Sequence, residues 1–150
     1  MKIGEWGLRI ERLNSGQLEQ AKALFALLSE VFGETGSPAS EAYIDQLLKQ
    51  DCFWAVAAID DDNIVGGLTA HLLPMTKTEQ SELLIYDVAV HERLQRRGIG
   101  KMLVNWVRSQ ASAVGIAAVF VLADNDDVGA ISFYRKLSGA DSPVTLFVWS

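Results

Sequence analysis

The chain has 150 residues, 49% apolar and 21% charged, which is the size and balance of one folded domain rather than a disordered or fibrous chain. Its 19 acidic against 13 basic residues give a formal charge of -6, which argues against a nucleic acid partner and suits a cationic one, although an acid excess also serves solubility alone. A single cysteine, Cys52, excludes an internal disulfide and reads as a buried structural thiol of a reducing, cytoplasmic compartment; the N-terminus lacks the apolar core of a leader, and no run approaches the roughly 20 residues of a membrane span.

No repeat or low-complexity linker divides the chain, so residues 1–150 read as one domain. Residues 7–13 alternate Leu8 and Ile10 with Arg9 and Glu11, the period of a first strand. Over 17–32, Leu18, Ala21, Leu24, Phe25, Leu28, Val31 and Phe32 recur at three and four, which predicts an amphipathic helix stopped by Gly33. Ser40 is a candidate N-cap for a short helix through residue 49, with Tyr43, Leu47 and Leu48 turned inward. Apolar runs at 53–59 and 64–73 flank Asp60-Asp61-Asp62-Asn63, a hairpin signal. After a polar connection, ELLIYDVAV at 82–90 predicts a central strand. The stripe Ile99, Met102, Leu103, Trp106, Val107 and Ala111 predicts a helix over 98–114 with Gly115 as its left-handed stop. Residues 117–123 read as a strand covered on both faces, 129–137 as a short helix, and 144–148 as a last strand closing the sheet. Strand, loop, helix and strand over 82–123 predict a right-handed βαβ crossover whose loop is where a ligand belongs.

That loop holds the main chemical signal. Arg93, Arg96 and Arg97 precede Gly98 and Gly100 where the helix begins, and a helix N-terminus with unpaired N–H groups and close backbone approach suits a pyrophosphate. The Walker spacing and the third glycine of the dinucleotide fingerprint are both absent. A glycine that merely opens the helix, with arginines in water, is the alternative. Asp87 interrupts an apolar strand, where an acid is costly unless paired; it reads either as a base or amine anchor, or as a carboxylate satisfied by neighbouring backbone. Asp124, Asp126 and Asp127 follow the apolar run at 117–123, where they suit either ammonium binding or a helix cap. His71 and His91 are too differently embedded to suggest a metal, and none is expected.

The string YDVAVHERLQRRGIGKMLV resembles motif A of the GNAT superfamily, [QR]xxGx[GA] after a central strand, and FYRKLSG is similar to its motif B helix. The pieces VFGE, WAVAAID, IVGGLTAHLLP, SELLIYDVAV and ADNDDVGAISFYRKLSG further resemble the gentamicin-modifying aminoglycoside 3-N-acetyltransferases, including a lengthened spacing from Asn125 to Tyr134. This resemblance implies a mixed α/β fold: a central, mostly antiparallel twisted sheet whose fourth and fifth strands splay apart, flanked by about four helices. It implies acetyl-CoA as cofactor, its pyrophosphate held by the loop amides of Gln95, Arg96, Arg97, Gly98, Ile99, Gly100 and Lys101, and its pantetheine along Val88, Ala89 and Val90. It further implies Tyr134 as general acid toward the departing thiolate, an oxyanion donor near Val88, and Glu34 and Glu82 completing a negative cleft with the three aspartates. The activity implied is acetylation of the 3-amino group of a cationic aminoglycoside by direct attack, in a possible homodimer. Acetylation of another amine, or a non-catalytic acyl-CoA-binding module, are the alternatives.

Overall fold

The computed structural model describes residues 2–3, 7–137 and 139–150. Its elements in chain order are β1 (Lys2–Ile3), β2 (Leu8–Arg12), α1 (Leu18–Val31), α2 (Glu41–Leu48), β3 (Phe53–Asp60), β4 (Asn63–Pro74), β5 (Ser81–Val90), α3 (Ile99–Ala113), β6 (Ala118–Val121) and α4 (Val128–Lys136). The six strands lie in sequence order; every neighbouring pair is antiparallel except β5 and β6, which run parallel around α3. The mixed, mostly antiparallel sheet with four helices is thus the one the sequence implies. Among the described residues, no helix is long and apolar enough to cross a membrane.

The hairpin between β3 and β4 pairs Asp60 with Asn63 and turns on Asp61 and Asp62, at φ 45° and 70°. Two consecutive positive φ values make a turn whose twist matches that of the strands, and aspartate is among the few residues that tolerate them.

Strand alternation divides the core into two layers. Ala55, Ala57, Ile59 and Ala89 face α1 and α2, where Leu24, Leu28 and Ile44 are buried. Val56, Leu68, Leu83 and Ile85 face α3 through Ile99, Leu103 and Val107, and Phe133 of α4 packs against the same layer. Each fully buried Leu or Ile contributes about 1.5–3 kcal/mol, so the alternation of small and large residues fixes which strand face takes which helix. Glycine sets one helix distance: a Cβ on Gly67 would collide with Leu24 Cδ1, so this bare stretch of β4 lets α1 rest on the sheet.

Four expectations are corrected. Residues 144–148 form no strand; Val144, Leu146, Phe147 and Val148 are exposed. The strand expected at 117–123 shortens to Ala118–Val121 and is half-exposed, because none of the described residues pairs along its outer edge. Tyr43 of α2 faces solvent and Ile44 takes the inward position, because Ile44 and Leu48, four apart, form the buried stripe. Cys52 is exposed, in the turn before β3 rather than in its core-facing run.

Candidate active site

β5 and β6 pair from Glu82 with Ala118 to Ile85 with Val121, and there the ladder ends. β5 continues to Val90 with β4 on one side and no strand on the other, so the parallel pair opens toward its C-terminal ends. Alternate residues of a strand direct their N–H and C=O to the same edge. The N–H of His91 donates back to Val65 O of β4 at 2.8 Å, so Val88 and Val90 direct theirs into the opening, while Ala89 is buried against the α1 layer. Gln95 Nε2 caps this edge by donating to Val90 O at 3.1 Å.

The loop beyond β5 turns through a short 3₁₀ segment at Glu92–Leu94 and then bends sharply. Arg96 is at φ 65° and Gly98 at φ 86°, the left-handed region that costs a non-glycine residue roughly 1–2 kcal/mol. Gly98 is the N-cap of α3 and no side chain caps this helix, so its first N–H groups stay open to an outside acceptor. A Cβ at Gly98 would meet nothing within 4 Å, so the chain borders open space at this residue. Arg93, Arg96, Arg97 and Lys101 are exposed around it. An uncapped helix start, left-handed backbone and four cations together fit a diphosphate, so these residues fit the coenzyme that the resemblance implies. Gly100 has a second duty: a Cβ there would lie 3.2 Å from Phe133 Cζ, so its bareness lets α4 pack on the first turn of α3. A hollow of about 220 Å³ lies between this loop, at His91, Glu92 and Gln95, and α1, at Leu27, Glu30 and Val31. A larger hollow of about 340 Å³, lined by Arg12, Trp54, Ser81 and Ile116, sits at the opposite ends of β5 and β6 and takes no part in the opening.

Asp87 stands at the mouth of the opening, half-buried. Thr69 pairs with it across β4 and β5, and Thr69 Oγ1 donates to Asp87 Oδ2 at 3.1 Å. Burial pushes the carboxyl above its ordinary value and the charge of Glu34 adds to this, while the Thr69 hydrogen bond and His71 pull the other way. The net result is a carboxylate more basic than a solvated one. Glu34 owes its position to the end of α1: Gly33 turns left-handed at φ 67°, and Glu34 N–H donates back to Ser29 O at 2.9 Å. Tyr134 on α4 is mostly buried, and its phenol is pushed upward by burial first, then by the charges of Asp127 and Asp87. It therefore keeps its proton through neutral pH. The charge of Glu34 thus acts on Asp87, and the charges of Asp127 and Asp87 act on the Tyr134 phenol.

The other acidic residues divide. Asp127 Oδ1 accepts from Ala130 N–H at 2.9 Å as the N-cap of α4, and Asp124 Oδ1 accepts from Asp126 N–H at 3.0 Å. Both cap and turn duties leave their charges at the open end, with Asp126 exposed beside them. Glu82 lies at the start of β5, about 16 Å along the strand from Asp87, and the fold does not bring it to the cluster.

Residues absent from the sequence reading complete the picture. Pairing jumps from Thr69 with Asp87 to Ala70 with Ile85, which leaves Tyr86 as a bulged extra residue. The bulge turns Tyr86 outward, 66% exposed, and its ring meets His71 edge-on at 5.5 Å, with His71 in turn against Phe53 at 5.5 Å. Thr69 could have been found by counting across the strand pair to Asp87; nothing in the sequence marks the bulge.

The parallel pair opening beside an uncapped helix start defines a transferase of the acyl-coenzyme type, and a family comparison agrees: the acetyltransferase (GNAT) family model matches residues 21–140. The chain belongs to that family. Among solved structures it is similar to the aminoglycoside acetyltransferase meta-AAC0020 from an uncultured soil metagenomic sample, in its complexes with trehalose and with sisomicin, at 34% identity, TM-score 0.92 and 95% coverage of both chains. It is also similar to the aminoglycoside acetyltransferase HMB0005 from an uncultured soil metagenomic sample, at 35% identity, TM-score 0.89, and coverage of 95% of this chain and 97% of that one. Among curated proteins it matches the uncharacterized N-acetyltransferase YvbK of Bacillus subtilis (strain 168) at 26% identity over 66% of this chain, and CgeE of the same organism at 39% over 36% of it. The matched stretches span 59% and 20% of those two proteins' lengths.

Proposed function

We propose that this protein is an acetyl-CoA-dependent N-acetyltransferase that acetylates a cationic aminoglycoside at the 3-amino group of its deoxystreptamine ring, and so confers resistance to the antibiotic in the cytoplasm. The observation that carries this reading is the half-buried Asp87, held by Thr69 at 3.1 Å on the part of β5 that β6 leaves unpaired, together with the uncapped start of α3. The similarity to meta-AAC0020, crystallised with sisomicin, supports the substrate class.

Acetyl-CoA supplies the acetyl group as a thioester when bound. The amides of Gln95, Arg96, Arg97, Gly98, Ile99, Gly100 and Lys101 would hold its diphosphate, and the free edge of β5, at Val88 and Val90 with Ala89 between them, would align the pantetheine. A primary ammonium has an ordinary pKa of about 10.4 and must lose its proton to become a nucleophile. Asp87, made more basic by burial and Glu34, takes that proton directly or through water. The Val88 N–H, directed into the opening, donates to the carbonyl oxygen as negative charge develops there. Tyr134 holds its proton ready at Oη and gives it to the leaving sulfur. Attack is direct, with no covalent acyl-enzyme. Glu34, Asp124, Asp126 and Asp127 hold the remaining ammonium groups, and Glu82, at the far end of β5, stands outside this set.

The test is a panel of amines. Purified protein with acetyl-CoA should release free thiol with gentamicin and sisomicin at a kcat/KM at least about 100-fold above that with spermidine or a lysine peptide. Turnover with spermidine alone would favour a different amine, and no turnover with any amine would leave a binding module.

A further inference from the structure

Neighbouring residues of a regular strand point to opposite faces, yet β5 presents Tyr86 and Asp87 on the same one. The bulge is the cause: Asp87 pairs with Thr69 and Ile85 with Ala70, so Tyr86 has no residue opposite it. Thr69 and His71 stand two apart on β4 and therefore share a face. Thr69 holds Asp87 through the 3.1 Å hydrogen bond, and the His71 ring meets the Tyr86 ring at 5.5 Å and 81°. Tyrosine and carboxylate thus stand side by side, their Cα atoms about 3.8 Å apart, on the face of the sheet that carries α1. The tyrosine ring is also held in place. His71 lies against Phe53 at 5.5 Å, and Phe53 against Phe25 of α1 at 6.2 Å, so four rings cross this face from α1 through β3 and β4 to β5. The row runs from the buried Phe53 out to Tyr86, which is 66% exposed. A lone exposed apolar side chain needs no explanation, but this one is steadied by a row of rings and set beside Asp87 by a break in the strand pairing.

We propose that Tyr86 is the platform for a saturated ring of the acceptor: the ring that carries the reacting amine lays its C–H face on the phenol while Asp87 takes the amine. This rests on the aminoglycoside reading above and names the side chain that selects within it. Carboxylates recognise charge, and a flexible polyamine offers as much charge as an aminocyclitol. A flat aromatic ring recognises shape as well. Its negative face attracts C–H groups polarised by neighbouring ammonium groups, and its apolar area is covered fully by a rigid ring and poorly by a mobile chain. Tyrosine has two side-chain torsions and the His71 contact restrains them, so binding orders little on the protein side, whereas a polyamine chain must itself be ordered.

Steady-state kinetics with sisomicin and acetyl-CoA test it. Tyr86→Ala should raise KM for sisomicin by about 10-fold or more with kcat within about threefold of wild type, whereas Tyr86→Phe, which keeps the ring, should hold KM within about twofold. A Tyr86→Ala KM within twofold of wild type, or an equal loss in the phenylalanine variant, would overturn this inference alone. Failure of the wild-type chain to acetylate any aminoglycoside would overturn the functional reading and this inference with it. Should the alanine variant not fold, NMR on wild-type chain carrying labelled tyrosine, with coenzyme A and sisomicin bound, decides. Cross-relaxation between the Tyr86 ring protons, assigned by their loss in Tyr86→Phe, and carbon-bound hydrogens of the deoxystreptamine ring is expected, and its absence would overturn the proposal.

Discussion

Thr69 and Asp87 face one another across β4 and β5, and the threonine hydroxyl donates a 3.1 Å hydrogen bond to the carboxylate. The bond favours the ionised acid, against burial and Glu34, which favour the neutral one. Asp87 must be ionised to accept a proton, so whatever raises its pKa moves the acid limb of kcat/KM to higher pH. A Thr69→Val variant, keeping the shape and losing the donor, should show that upward movement and a kcat/KM about 10-fold lower on the limb. A pH–rate profile with gentamicin measures it.

Glu34 acts with the opposite sign. Its negative charge holds the Asp87 carboxyl higher, so Glu34→Gln should move the acid limb to lower pH and raise kcat/KM on the limb by about threefold at low salt, less at high salt. The same change should raise KM for a polycationic substrate. An unmoved limb would separate Glu34 from Asp87.

The Tyr134 phenol is held above its ordinary value by burial, which fits a group that keeps its proton for the leaving sulfur at working pH. Tyr134→Phe removes only the hydroxyl. It should lower kcat by about 100-fold or more while calorimetry finds coenzyme A affinity within about twofold of wild type.

At Gly98, φ 86° and open space where a Cβ would stand make two separable demands. Gly98→Ala should cost about 1–2 kcal/mol in urea unfolding, whereas Gly98→Asn, which tolerates the left-handed region, should cost less. Both should weaken coenzyme A binding by about 10-fold if the diphosphate takes that space. A loss confined to stability would make the glycine purely conformational.

The elements set by local alternation were legible. Leu18 through Val31 and Ile99 through Ala111 carry a helical stripe, and the glycines at 33 and 115 end both helices left-handed. The loop at 95–100 was legible because its residue types bear directly on its backbone conformation. What stayed hidden depends on a partner distant in sequence. Residues 144–148 have every local property of a strand, yet a strand needs a neighbour, and none of the described residues pairs with them. The Tyr86 bulge arises from the mismatch between β4 and β5, which neither strand shows alone. Asp87 stood out as an acid in an apolar run, but its pairing with Thr69 and its coupling to Glu34 came only from the fold.

Gentamicin incubated with acetyl-CoA and the protein, then examined by mass spectrometry and two-dimensional NMR, should carry one acetyl group on the 3-amino nitrogen, and no acetyl should appear with the Asp87→Asn variant on the same timescale. An unmodified antibiotic, or an acetyl on any other nitrogen, would contradict the account.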